Sequence, residues 1–232
     1  CGTTPLHVRK MREALRKTAV SSHGAAAPAI EVETPTVQAP PPEREEVHPT
    51  GDPAARTGLS RKLANREFVV SVEVDPPRGA RPKKMIEGAQ LLKRAGVDVI
   101  NVADSPMARV RMSSIALASM ITNQVGIETI LHFTCRDRNL MGIQSDLMGA
   151  HALGIRNILA LSRDPPRAGD YPNATAVFDV DSVGLIGVLK RLNAGRDLGG
   201  NSIGEPTTFV IGCAVNPTSE TLEQELERFS RK

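Results

Sequence analysis

Tryptophan is absent from the 232-residue sequence, and the other large aromatics amount to one tyrosine and five phenylalanines. All six lie at or beyond Phe68, whereas eight of the 17 prolines lie before it. Residues 1–67 are therefore short of the apolar groups whose burial offsets chain entropy, and residues 68–232 hold the folded unit that the composition supports. Long runs of one charge sign are also missing, because 29 Lys and Arg are scattered among 26 Asp and Glu. Without a basic cluster or stacking aromatics there is no nucleic-acid footprint. Cys1, Cys135 and Cys213 are an odd number without paired spacing, which argues against a disulfide framework and for a reducing compartment, the cytoplasm. No apolar run reaches the roughly 18 residues of a membrane span, and the N-terminus lacks the charged, apolar, small-residue order of a signal peptide.

What is present divides the chain in three. Residues 5–17 place Leu6, Met11 and Leu15 at near-helical spacing among basic residues, so a short amphipathic helix is expected there. Residues 18–67 are rich in Ala, Pro, Glu and Thr, include Pro40-Pro41-Pro42, and read as a semi-rigid spacer. The chain opens on Cys1 rather than Met and ends inside a helical pattern, residues 220–232, with Leu222, Leu226 and Phe229 on one face after a Ser219 N-cap. It reads as cut at both ends, and a sheet left with open edges is expected to be poorly soluble alone.

From Phe68 onward, apolar runs rich in β-formers recur at 68–74, 97–103, 127–135, 157–162 and 208–215. Helical patterns lie between them at 82–95, 110–124, 140–153 and 181–193, with Gly96, Gly126 and Gly154 at their ends. Strands alternating with helices through short connections predict a parallel α/β sheet with right-handed crossovers. A doubly wound sheet would carry G-x-G-x-x-G after its first strand; here that strand ends in D-P-P-R-G. The expectation is a partial (β/α)8 barrel of about five strand-helix units, against the eight of a complete barrel.

Candidate chemistry gathers at the strand ends. In S-V-E-V-D, alternation puts Val72 and Val74 on one face and Ser71 and Glu73 on the other. The valines suit the helix-packed face, so Glu73 is expected inside the barrel beneath the C-terminal rim, partly desolvated and fitted to donate a proton. The alternative is an edge strand with a solvated polar face. Asp164 closes the fourth strand in D-P-P-R, where proline stops the strand and holds the carboxylate at the rim. The third strand, I-L-H-F-T-C, sets His132 and Thr134 on one face; a lone histidine in an apolar strand is more often a core residue than a catalyst. No metal-ligand spacing, Ser-His-Asp set or Walker signature occurs in residues 68–232.

Taken in order and at these intervals, S-V-E-V-D-P-P-R, L-H-F-T-C, I-L-A-L-S-R-D-P-P and G-C-A-V-N-P resemble methylenetetrahydrofolate reductase, a flavin-dependent (β/α)8 barrel. C-G-T-T-P at residues 1–5 resembles the end of a zinc-binding segment of homocysteine S-methyltransferases. Methyltransferase end (1–17), linker (18–67) and truncated reductase barrel (68–232) is the order of the bifunctional homocysteine S-methyltransferase/methylenetetrahydrofolate reductases.

The resemblance implies reduction of 5,10-methylenetetrahydrofolate to 5-methyltetrahydrofolate with FAD as hydride carrier and NADH or NADPH as donor, in a homo-oligomeric full-length protein. It implies that Glu73 is the general acid and that Asp164 lies beside the flavin and pterin. It places His132, and with them Asp104, Ser162, Arg163, Asp179 and Asn216, around the flavin, and Arg228, Arg231 and Lys232 near the FAD phosphates. Cys1 would be one zinc ligand of the methyltransferase. The family carries F-F where this chain has Val74-Asp75, threonine at Ala103 and tyrosine at Asn216. Those departures motivate the alternative of a non-catalytic barrel module supporting an attached methyltransferase.

Overall fold

The computed structural model describes residues 57–162 and 165–232. They belong to two compact units, whose described parts are residues 57–213 and residues 214–232.

The larger unit alternates strand and helix. It runs α1 (Gly58–Ala64), β1 (Ser71–Val74), α2 (Lys83–Arg94), β2 (Val99–Val102), α3 (Ser114–Met120), β3 (Glu128–Thr134), α4 (Leu140–Ala152), β4 (Asn157–Leu161), α5 (Ser182–Asn193) and β5 (Val210–Cys213). All neighbouring strands pair in parallel, and their spatial order is the chain order, β1 to β5. That order decides between the two α/β closures. Right-handed crossovers place every helix on one side of the sheet as long as the order advances one way, whereas a doubly wound sheet reverses at a switch point. No reversal occurs among the described strands, so the sheet is a partial (β/α)8 barrel, as the alternation predicts.

The helix-covered face holds the core. Ile100, Val102, Leu131, Phe133, Ile158 and Ala160 point outward from the strands and are buried with Leu117, Ile143, Leu147, Leu185 and Leu189 of the helices. Helix ends follow the local sequence. Asn139 and Asp181 cap α4 and α5 by accepting from Gly142 N and Gly184 N, each at 2.9 Å. After α2 and α4, Gly96 (φ +82) and Gly154 (φ +90) take the left-handed conformation in which the last carbonyls are closed off by Gly96 N and Val97 N, and by Gly154 N and Ile155 N.

Three boundaries depart from the sequence reading. Helix α3 starts at Ser114 rather than near Val110, because residues 105–108 fold into a tight turn with Ser105, Met107 and Ala108 at positive φ. Helix α6 (Leu222–Arg231), in the smaller unit, has Thr221 at its N-cap instead of Ser219, whose hydroxyl donates to the Thr221 carbonyl. The third departure moves the end of the expected spacer. Residues 57–66 are not spacer but carry α1, which docks on the N-terminal ends of the strands.

That docking is polar. Thr57 caps α1 by accepting from Ser60 N at 3.0 Å and donates to Asn157 Oδ1 at 2.9 Å. The Glu128 carboxylate accepts from Gly58 N and from Leu59 N, the latter at 3.0 Å, so a negative charge meets the positive end of the helix dipole. A side chain at Gly58 would meet Glu128 Oε1 at 2.8 Å, which explains glycine there. Lys62 pairs with Asp98 at 2.6 Å, and Asp98 also accepts from Val70 N; these bonds hold the Asp98 carboxyl below its usual range.

Candidate active site

Opposite the helices lies the inner face. The register Glu73↔Asn101 and Asn101↔Ile130, with His132 two residues on, puts Ser71, Glu73, Asn101, Ile130 and His132 on that face, joined by Leu159 of β4. Ser71 and Glu73 are exposed, Asn101, Ile130 and Leu159 are half-buried, and His132 is buried at 4% exposure. Glu73 therefore stands where alternation predicted, but the described residues do not desolvate it. A polar row crosses three strands: Asn101 Nδ2 donates to Ser71 Oγ, and Asn101 Oδ1 lies 3.2 Å from His132 Nε2.

The rim beyond the strand ends is organised differently. Asp104 is buried and fully engaged: Oδ2 accepts from Arg138 at 2.8 Å and from Thr134 N and Oγ1 at 3.2 and 2.9 Å, and Oδ1 accepts from Ser114 Oγ at 3.2 Å. Arg138 also donates to Asp146 at 2.9 Å and lies 4.5 Å from the centroid of the Phe133 ring. Burial works against its charge, but the Asp104 and Asp146 carboxylates more than offset this and hold the guanidinium protonated. Asp104 thus ties β2, β3 and α4 together.

Other expected site residues have similar internal tasks. Ser162 Oγ accepts from Ser182 N at 3.0 Å and anchors the start of α5. Asp179 accepts from Leu140 N at 2.9 Å and anchors the start of α4. Cys135, on the core side, has its thiol pushed up to about 12 by burial and by the nearby Asp181. In the smaller unit, Asn216 Oδ1 accepts from Thr218 N and Oγ1, Arg228 pairs with Glu225 at 3.7 Å, Lys232 donates to the Ala214 carbonyl at 2.7 Å, and Arg231 is exposed. Cys1, Arg163 and Asp164 lie outside the described residues.

Two residues escaped the sequence reading. Asn101 was discoverable, because V-I-N-V places a polar side chain opposite Ile100 and Val102 on the face that carries Glu73. Arg138 was not: nothing in R-D-R-N says which arginine turns inward. Among the described residues no group of three or more His, Cys, Asp and Glu side chains is placed to hold a metal ion, and no helix is long and apolar enough to cross a membrane.

A parallel sheet in unreversed order, helices on one face and ionisable groups on the other near the strand ends, defines a (β/α)-barrel protein, a class whose sites lie at the C-terminal mouth. Comparison with known proteins gives the family. The model described as "Methylenetetrahydrofolate reductase" matches residues 58–232, and the chain belongs to that family. A Caenorhabditis elegans protein named "Probable methylenetetrahydrofolate reductase (NADPH)" is 28% identical over 165 residues, which are 68% of this chain and 23% of that protein. The chain thus spans less than a quarter of the length of that relative. A solved structure, "Crystal structure of a putative phosphonomutase from Burkholderia cenocepacia J2315", covers 68% of this chain and 59% of its own, with 14% identity and a TM-score of 0.38.

Proposed function

We propose that this chain contributes the first part of a flavin-dependent barrel that reduces 5,10-methylenetetrahydrofolate to 5-methyltetrahydrofolate with NADH or NADPH, in one-carbon metabolism and methionine synthesis. The observation that carries the reading is Glu73, held on the inner face directly across from Asn101 and two strands from His132, in a chain of this family.

The inner face fits a flavin. Half-buried Ile130 and Leu159 offer an apolar floor for a planar ring, while Asn101 and His132 offer polar groups to its edge. Asp104 fits less well, because both its carboxylate oxygens are already bonded within the protein, whereas Ser162 keeps its hydroxyl proton and Asp179 is exposed and uses one oxygen on Leu140 N. FAD, when bound, supplies hydride transfer between nicotinamide and folate. Glu73 would give the proton that opens the folate five-membered ring to an iminium, a task for a carboxylic acid within hydrogen-bond reach of that nitrogen. Asp164 would stand beside flavin and pterin with Arg163, and Arg228, Arg231 and Lys232 would meet the cofactor phosphates.

The reading includes a longer, full-length protein that is a cytoplasmic homo-oligomer, with residues 1–17 closing a zinc-dependent homocysteine S-methyltransferase to which Cys1 contributes a ligand. Purified full-length parent should be yellow, with flavin absorbance that bleaches on adding NADH or NADPH and returns with a folate acceptor. Colourless protein that takes up no added FAD would sink the proposal.

A further inference from the structure

We propose that Asn101 is a positioning residue that fixes the tautomer and ring orientation of His132, with Ser71 as its anchor. The three side chains form the row across β1, β2 and β3 on the inner face. A carboxamide has one donor end and one acceptor end, and Ser71 Oγ takes the donor end. The end that faces His132 Nε2 at 3.2 Å is therefore an acceptor only, so Nε2 must carry the hydrogen. In the neutral ring the lone pair then belongs to Nδ1.

The row adjoins Glu73, which is registered directly across from Asn101. One amide thus stands between the carboxyl and the imidazole. If the flavoenzyme reading holds, on which this consequence rests, Asn101 ties up the Nε2 proton and presents His132 to the bound ligand in one fixed state, leaving Glu73 to deliver the proton. Position 101 earns this role through its two ends: aspartate would keep the acceptor, whereas leucine would keep only the volume.

Long-range nitrogen–proton correlation spectra of the full chain read the tautomer directly, with His132 assigned by its loss in His132→Gln. They are recorded near pH 8.5, about two units above the usual imidazole value, so that the ring is neutral. A single Nε2–H pattern is expected in the wild type, retained in Asn101→Asp and replaced by a mixed pattern in Asn101→Leu. A wild-type His132 in the Nδ1–H form, or an Asn101→Leu spectrum like the wild type, overturns the proposal. Should Asn101→Leu fail to fold, Ser71→Ala makes the same test from an exposed position: the freed amide can flip and the pattern should mix, and an unchanged pattern overturns the assignment. These spectra need no flavin. Protein that binds none yet shows the expected patterns rejects the flavoenzyme reading while supporting the role of Asn101.

Discussion

Carboxylates stand at both ends of the parallel sheet, and the two ends treat them differently. At the N-terminal ends, Asp98 and Glu128 are closed off by α1 and its flanking residues, through a lysine and backbone N–H groups. Toward the C-terminal ends, Asp104 is locked to Arg138, but Glu73 is left exposed on the inner face. A carboxylate at a strand end is therefore no sign of chemistry by itself. What separates Glu73 from Asp98, Glu128 and Asp104 is that its backbone is held in register while, among the described residues, its side chain stays exposed.

The sharpest way to break this contrast is Glu73→Gln. Turnover of folate should fall about 10²- to 10⁴-fold, the usual contribution of a general acid. Flavin reduction by nicotinamide should stay near normal, and the urea midpoint should stay put, since exposed substitutions away from special features change stability by about 0.5 kcal/mol or less. Equal loss in both half-reactions would remove Glu73 from the role of acid.

Asp104→Ala should do the reverse in kind. It takes one carboxylate from the half-buried Arg138, which keeps Asp146, and leaves the buried Thr134 and Ser114 hydroxyls without their acceptor, and should cost about 1–3 kcal/mol in urea unfolding. A variant as stable as the unsubstituted protein but unable to hold flavin would place Asp104 in the cofactor site. At the other end of the sheet, Glu128→Ala leaves two α1 N–H groups without their acceptor and should cost about 1–3 kcal/mol, with hydrogen exchange rising first in residues 58–64.

The smallest effect expected is a pH dependence at the N-terminal end. His151 Nε2 accepts from Thr208 N at 3.1 Å, and its ring packs edge-on against Phe209 with centroids 5.3 Å apart. Burial, then the charge of Arg156, lower its pKa below 6.5. The folded state then binds fewer protons than the unfolded one, so this stabilisation is present above pH 6.5 and is lost as the pH falls below it. Urea midpoints measured across that range should show the loss in the parent and a flatter profile in His151→Gln.

Much of the barrel was legible in the sequence because the outward valines, isoleucines and leucines of each strand alternate with inward residues, and because Gly96 and Gly154 mark where helices must turn. The same alternation located Glu73 on the inner face and set His132 opposite Phe133. It could not say which polar side chains the protein keeps for itself. Asp104 looks alike in sequence to a residue left open for a ligand, and only the approach of Arg138, Thr134 and Ser114 shows how its carboxylate is engaged. Helix α1 was hidden for another reason. It has seven residues and no buried side chain, and its docking depends on Glu128 and Asn157, which lie 70 and 100 residues from their α1 partners.

That separation has a consequence for the order of assembly. Each strand pairs with the strand made just before it, so the sheet can grow from its N-terminal edge as the chain emerges. Helix α1 is made first but cannot complete its bonds until β4 arrives, since Thr57 waits for Asn157. The earliest of these elements is thus fastened only after the fourth strand, and its capture reports that four consecutive strands have found their register.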